Sequence, residues 1–135
     1  MKASDLCLRS AVLMAILGMA WGIAMAASHN HTTMPAHAHL NLLGWVSLFL
    51  FGIFYRLHPA IDGGRAAVLQ VYAWIIGTLA MASGLVLLFS GREFGEPIAA
   101  IASMSMLVSM VVFGWLVFRS HPRHRPSRVS LQGAE

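Results

Sequence analysis

The chain is 135 residues long, 58% hydrophobic and only 10% charged, with a formal net charge of +4. That balance excludes an ordinary soluble domain, and four long stretches nearly free of charge point to a multi-span membrane protein. A single cysteine, Cys7, excludes a disulfide framework and a thiolate metal site.

Taken in chain order, the first expected span covers about residues 8–26. Lys2 and Arg9 ahead of it and Ala24-Met25-Ala26 behind it are similar to a secretory signal with a cleavage site. Its apolar run is longer than a typical signal core, so retention as a span is the expectation. Gly18 and Gly22 give it a small-residue face for close helix packing. Residues 28–35, SHNHTTMP, form a polar connection without Lys or Arg, and Pro35 suits the start of a helix, where its missing N–H costs nothing.

The second span, about 36–57, is followed by HPAIDGGR, in which Pro59 stops the helix and Asp62-Gly63-Gly64 makes the bend. A third span covers about 66–89, with Ala73, Gly77, Ala80 and Gly84 recurring at helical spacing as a packing face. After the short turn SGREFGE, Pro97 opens a fourth span that ends near Phe118. The expected fold is therefore all-α: a polytopic membrane protein with four transmembrane helices in an up-down bundle over residues 1–118. Residues 119–135 make a basic tail, expected to be disordered or to lie on lipid headgroups.

Basic residues predict the orientation. Lys2, Arg9, Arg56, Arg65, Arg119, Arg123, Arg125 and Arg128 fall on one side of such a bundle, and only Arg92 falls on the other. The positive-inside rule then places both termini in the cytoplasm of a bacterial-type inner membrane, with the histidine-rich connection at the outer face. An arginine-rich segment beside a membrane span meets anionic lipid, so no nucleic-acid partner is expected.

The chemistry concentrates in residues 36–59, AHAHLNLLGWVSLFLFGIFYRLHP. At about 100° per residue, His37 and His39 leave a helix on nearly opposite faces. That suits two separate ligands better than one chelated ion. Asn41 and Gly44 share the face of His37, which leaves room for a flat ring or a closely packed helix. Leu43, Val46, Leu50 and Leu57 share the face of His39. An imidazole in line with an aliphatic stripe fits a porphyrin, whose iron takes the nitrogen while the ring covers the leucines. Intramembrane ionisable residues are costly and mark functional sites. His29, His31 and Met34 add to His37 and His39 a second, softer donor set suited to copper or zinc. His58, His121 and His124 are expected to be solvated among arginines.

This H-x-H at the outer end of a membrane helix, followed by Gly44, Tyr55 and Pro59, resembles the haem-ligating helix of haem-copper oxidase subunit I. In that family the first histidine holds the high-spin haem and the second holds the low-spin haem. The resemblance implies haem b, with His37 and His39 as iron ligands and Asn41 and Gly44 beside the cofactor. Subunit I is built of three four-helix arcs, and the chain is similar to one arc. A homo-oligomer is thereby implied, a closed trimer in preference to a dimer, in which His39 of one copy and His37 of the next clamp one haem. The first, third and fourth spans carry no histidine, so a second copy is the more economical source of an imidazole than the span methionines Met14, Met19, Met25, Met81, Met104, Met106 and Met110.

Three functions follow as expectations: haem-based electron transfer or redox and gas sensing, a copper- or zinc-binding accessory role, and a cofactor-free assembly subunit. Catalysis is not expected, because no carboxylate, lysine or paired nucleophile lies within a span and one chain lacks an oxygen-reducing site.

Overall fold

A computed structural model describes residues 1–120; the tail, with His121, His124 and its arginines, lies outside the described residues. Four helices are long and apolar enough to cross a membrane: α1 (Ala3–Ser28), α2 (Met34–Leu57), α3 (Arg65–Phe89) and α4 (Gly95–Arg119). At about 1.5 Å per residue even the shortest reaches roughly 36 Å, more than a bilayer core of about 30 Å. No strand occurs among the described residues. The bundle turns its large apolar side chains outward, with Ile23, Ile76, Ile101 and Val111 all more than 60% exposed. That pattern fits lipid as the surrounding solvent, since in lipid only the backbone polar groups must be satisfied internally. The chain is a multi-pass membrane protein.

The expected spans are all present, each one or two residues longer at its ends, except that α1 begins five residues earlier than expected. Its added turn is the most deeply packed part of the helix: Ala3, Ser4, Cys7 and Ala11 are fully buried. The cause is Asp62, at the end of a short helical turn (Pro59–Asp62) between α2 and α3. Its carboxylate accepts the Ser4 backbone N–H and the Ser4 hydroxyl, both at 2.7 Å. An anion over the free N–H groups of a helix start satisfies them and complements the helix dipole. Asp62, read from sequence only as part of a bend, is a cap for a helix 58 residues away.

Small residues set the closest approaches. A Cβ on Gly44 of α2 would stand 2.6 Å from Met14 Sδ of α1, and one on Gly84 of α3 would stand 2.7 Å from the Ala99 nitrogen of α4. Of the small-residue face expected on α3, Gly77 and Gly84 are buried and Ala80 is half-buried, while Ala73 is exposed. The inner half of the bundle, towards the Asp62 turn, is closed by aromatic contact. Phe51 lies 4.2 Å from Phe113 and 4.9 Å from Trp74 between ring centroids, and Phe54 lies 5.2 Å from Phe113. Beside them the Tyr55 hydroxyl donates to Gln70 Oε1 at 2.9 Å. Gln70 Nε2 donates to Ser109 Oγ at 3.3 Å, and that hydroxyl donates to the Gln70 carbonyl at 3.1 Å. Three helices are thus stitched by a buried polar chain whose members satisfy one another.

One departure bears on the site. Leu40–Ser47 of α2 is wound as a π-helix. A wheel drawn at a constant 100° therefore does not hold through this stretch. Trp74 of α3 donates its indole N–H to the Leu43 carbonyl at 2.9 Å, and the Ser47 hydroxyl donates to the Leu42 carbonyl at 2.9 Å. Side chains thus bond to carbonyls inside the wide turn.

Candidate functional site

His37 and His39 leave α2 in different directions, as their spacing requires. His37 is half-buried and turned towards α1. A Cβ on Gly22 would come within 3.1 Å of its Cε1, and the Trp21 ring stands edge-on to it at 6.5 Å. Asn41 donates its amide to the His37 carbonyl at 3.0 Å and fills the space over Gly18. Gly44 receives Met14. Of the two occupants left open for this face, the structure has the closely packed helix. Gly18, Gly22 and Gly44 make room for α1, and the opening for a flat ring beside His37 within one chain is closed.

His39 is exposed at the other side of α2. Its Nδ1 lies 2.8 Å from the Pro35 carbonyl oxygen. A carbonyl only accepts, so Nδ1 is the donor in this bond, and in the neutral imidazole the lone pair is then on Nε2. A bond of this kind is the one most iron- and zinc-bound histidines make, fixing ring orientation and raising basicity. His58 makes the same bond to Phe54 at 2.7 Å, but its ring is stacked on Phe54 at 4.2 Å. Expected as a solvated residue, His58 is instead half-buried on its own helix.

What separates His39 from His58 is a groove of about 340 Å³. One wall is His39 and Leu43 of α2, the floor is the buried pair Trp74 and Met81 of α3, and the other wall is Ser103, Met106, Leu107 and Met110 of α4. Below it α2 and α4 are joined where Phe51 and Phe54 reach Phe113. None of its described lining residues is a carboxylate, lysine or arginine. Ser103 Oγ is engaged with the Ala99 carbonyl at 2.9 Å, and the Trp74 N–H is engaged with Leu43. The heteroatoms left are the His39 nitrogen and three thioether sulfurs. Such donors are soft and hold their own in an apolar setting. The methionines are what the sequence reading passed over, because helical methionine is ordinarily packing and nothing in the one-dimensional order links 39 to 106.

The softer donor set expected at the outer connection is not assembled. His29 ends α1 in the left-handed region (φ 53), His31 and Met34 are exposed, and His37 lies between α1 and α2. Among the described residues no three His, Cys, Asp or Glu side chains gather as a metal site. The outer connection is held by other bonds, with Trp21 Nε1 donating to Thr33 Oγ1 at 3.2 Å.

Comparison with protein-family models, with curated proteins and with solved structures finds no match to this chain.

Proposed function

We propose that this chain is a haem b-binding membrane protein that carries electrons, with His39 as an iron ligand. One observation carries the reading: His39 lines an apolar groove with Nδ1 tied to a backbone carbonyl and Nε2 left free to bind. The residues fit the group. The groove offers an imidazole, thioethers, an indole and aliphatic surface, and it offers no hard oxygen donor that would favour calcium or magnesium. When bound, haem supplies one-electron chemistry at its iron; the chain positions it and excludes water. The resemblance of residues 36–59 to the ligand helix of haem-copper oxidase subunit I supports the same reading. The distribution of basic residues supports an orientation with both termini in the cytoplasm of a bacterial-type inner membrane and His39 towards the outer face.

The proposal extends to an assembly of copies on the likeness of the chain to one arc of subunit I, with the aliphatic stripe of α2 as the surface it would cover. Val46, Leu50 and Leu57 are 39%, 62% and 71% exposed. A closed ring of three would cover that stripe. For His37 of a neighbouring copy to share the haem, its ring would have to turn out from between α1 and α2.

The test is an absorption spectrum of the full chain purified in detergent after supply of haem. A Soret band is expected in the wild type, and His39→Ala should lose at least nine-tenths of it. His29→Ala and His31→Ala should leave it unchanged. Copper or zinc without a Soret band would replace this reading with metal binding, and neither pigment nor metal would leave an assembly subunit.

A further inference from the structure

We infer that Met106 is the second axial ligand, so that one imidazole and one thioether of the same chain hold the iron; this rests on the haem reading above. Met106 belongs to α4, the helix across the groove from His39, whereas Met81 belongs to α3. The register of the two walls selects between Met106 and Met110. Helices α2 and α4 run in the same direction and are pinned together by the Phe51–Phe113 contact at 4.2 Å. On α4, Met106 stands about 6 Å nearer than Met110 to the level of His39 at about 1.5 Å per residue, and the π-wound stretch of α2, which advances less per residue than an α-helix, brings His39 down towards Met106.

The fold also makes a place for the Met106 stem. A Cβ on Gly77 of α3 would stand 2.7 Å from Met106 Cγ, so glycine there lets the side chain lie close along the floor of the groove. Met106 is 6% exposed, while Met110 is 41% exposed towards lipid. The rival polar atoms of the groove, Ser103 Oγ and Trp74 Nε1, are already bonded to backbone carbonyls. Ligation by His39 and Met106 would fill both axial positions, leave no place for an external gas, and raise the reduction potential relative to a pair of histidines. That combination describes an electron carrier and disfavours a gas sensor.

The experiment compares wild type, Met106→Leu, Met110→Leu and His37→Ala, each as the full chain loaded with haem b. Leucine nearly conserves the volume of methionine, so the fold should tolerate both substitutions. In the wild type we expect a low-spin ferric spectrum with the weak far-red band of a thioether bound to ferric iron. Met106→Leu should keep the haem, lose that band, become high-spin and bind carbon monoxide once reduced. Met110→Leu and His37→Ala should retain the band. A far-red band that survives Met106→Leu overturns the assignment. So does a low-spin wild type without the band that turns high-spin in His37→Ala, the mark of an imidazole from a second copy. A wild type that takes up no haem at all overturns the functional reading itself, a result distinct from either.

Discussion

The two halves of the bundle solve opposite problems. In the inner half, polar groups are spent on one another: Asp62 on Ser4, Tyr55 on Gln70, Gln70 on Ser109. Aromatic rings from α2, α3 and α4 fill what remains. In the outer half α2 and α4 stand apart, and the groove between them holds a histidine nitrogen and thioethers whose bonding capacity the fold does not use. The difference teaches where the chain tolerates incompleteness. A pinned end lets the other end stay open without the helices closing on each other. The open end is where reactive donors collect.

The division can be broken from the inner side. Asp62→Ala removes a buried carboxylate and strands the Ser4 N–H and hydroxyl, a change expected to cost about 2–3 kcal/mol. Unfolding in detergent, followed by tryptophan fluorescence, should shift to lower temperature. Haem retained per folded chain should stay the same, because the groove is at the far end. A loss of pigment without loss of stability would show that the two halves are not separate. Where the two halves meet, Trp74→Phe keeps the ring contact with Phe51 and deletes only the bond to the Leu43 carbonyl. About 1–2 kcal/mol of stability should go with it. Here, unlike Asp62→Ala, haem affinity should fall as well, because Trp74 and Leu43 both line the groove. Titration of the folded variant with haem measures it. The smallest effect belongs to the surface. Arg56 and Asp5 pair at 3.1 Å with side chains 57% and 36% exposed. Asp5→Asn should change stability by no more than about 0.5 kcal/mol, and less at high salt, in the same unfolding assay.

Much of the fold was legible in the sequence because membrane spans are local facts. Twenty apolar residues in a row carry their own meaning, and Gly18, Gly22 and Gly84 carried the packing faces. The site was legible by half. His37 and His39 announce opposed faces by spacing alone, and Asn41 and Gly44 do fall with His37. What occupies each face was not legible. That α1 takes the His37 face depends on glycines from two helices meeting, and that α4 brings Met106 to the His39 face depends on where Phe51 meets Phe113. The π-wound stretch has no signature in its residues, because the indole that bonds to its Leu43 carbonyl comes from another helix. Asp62 was read only as turn chemistry for the same reason: its partner is 58 positions away.

The bond from Asp62 to Ser4 also has a bearing on how the chain is made. Synthesis delivers α1 before Asp62, so the N–H groups of its opening turn wait for their carboxylate. The partner arrives only after α2 has crossed and the chain has turned back at Pro59, which returns Asp62 to the side where α1 began. Closing that contact locks a hairpin of two helices, already held along its length by Gly18, Gly22 and Gly44, before α3 has packed against it. The hairpin is then a template with one finished face, and α3 and α4, tightly paired through Gly84 and Ala99, can be added to it as a second hairpin. A ribosome-bound chain long enough to expose Asp62 should therefore already protect its first helix from exchange, and a chain stopped short of it should not.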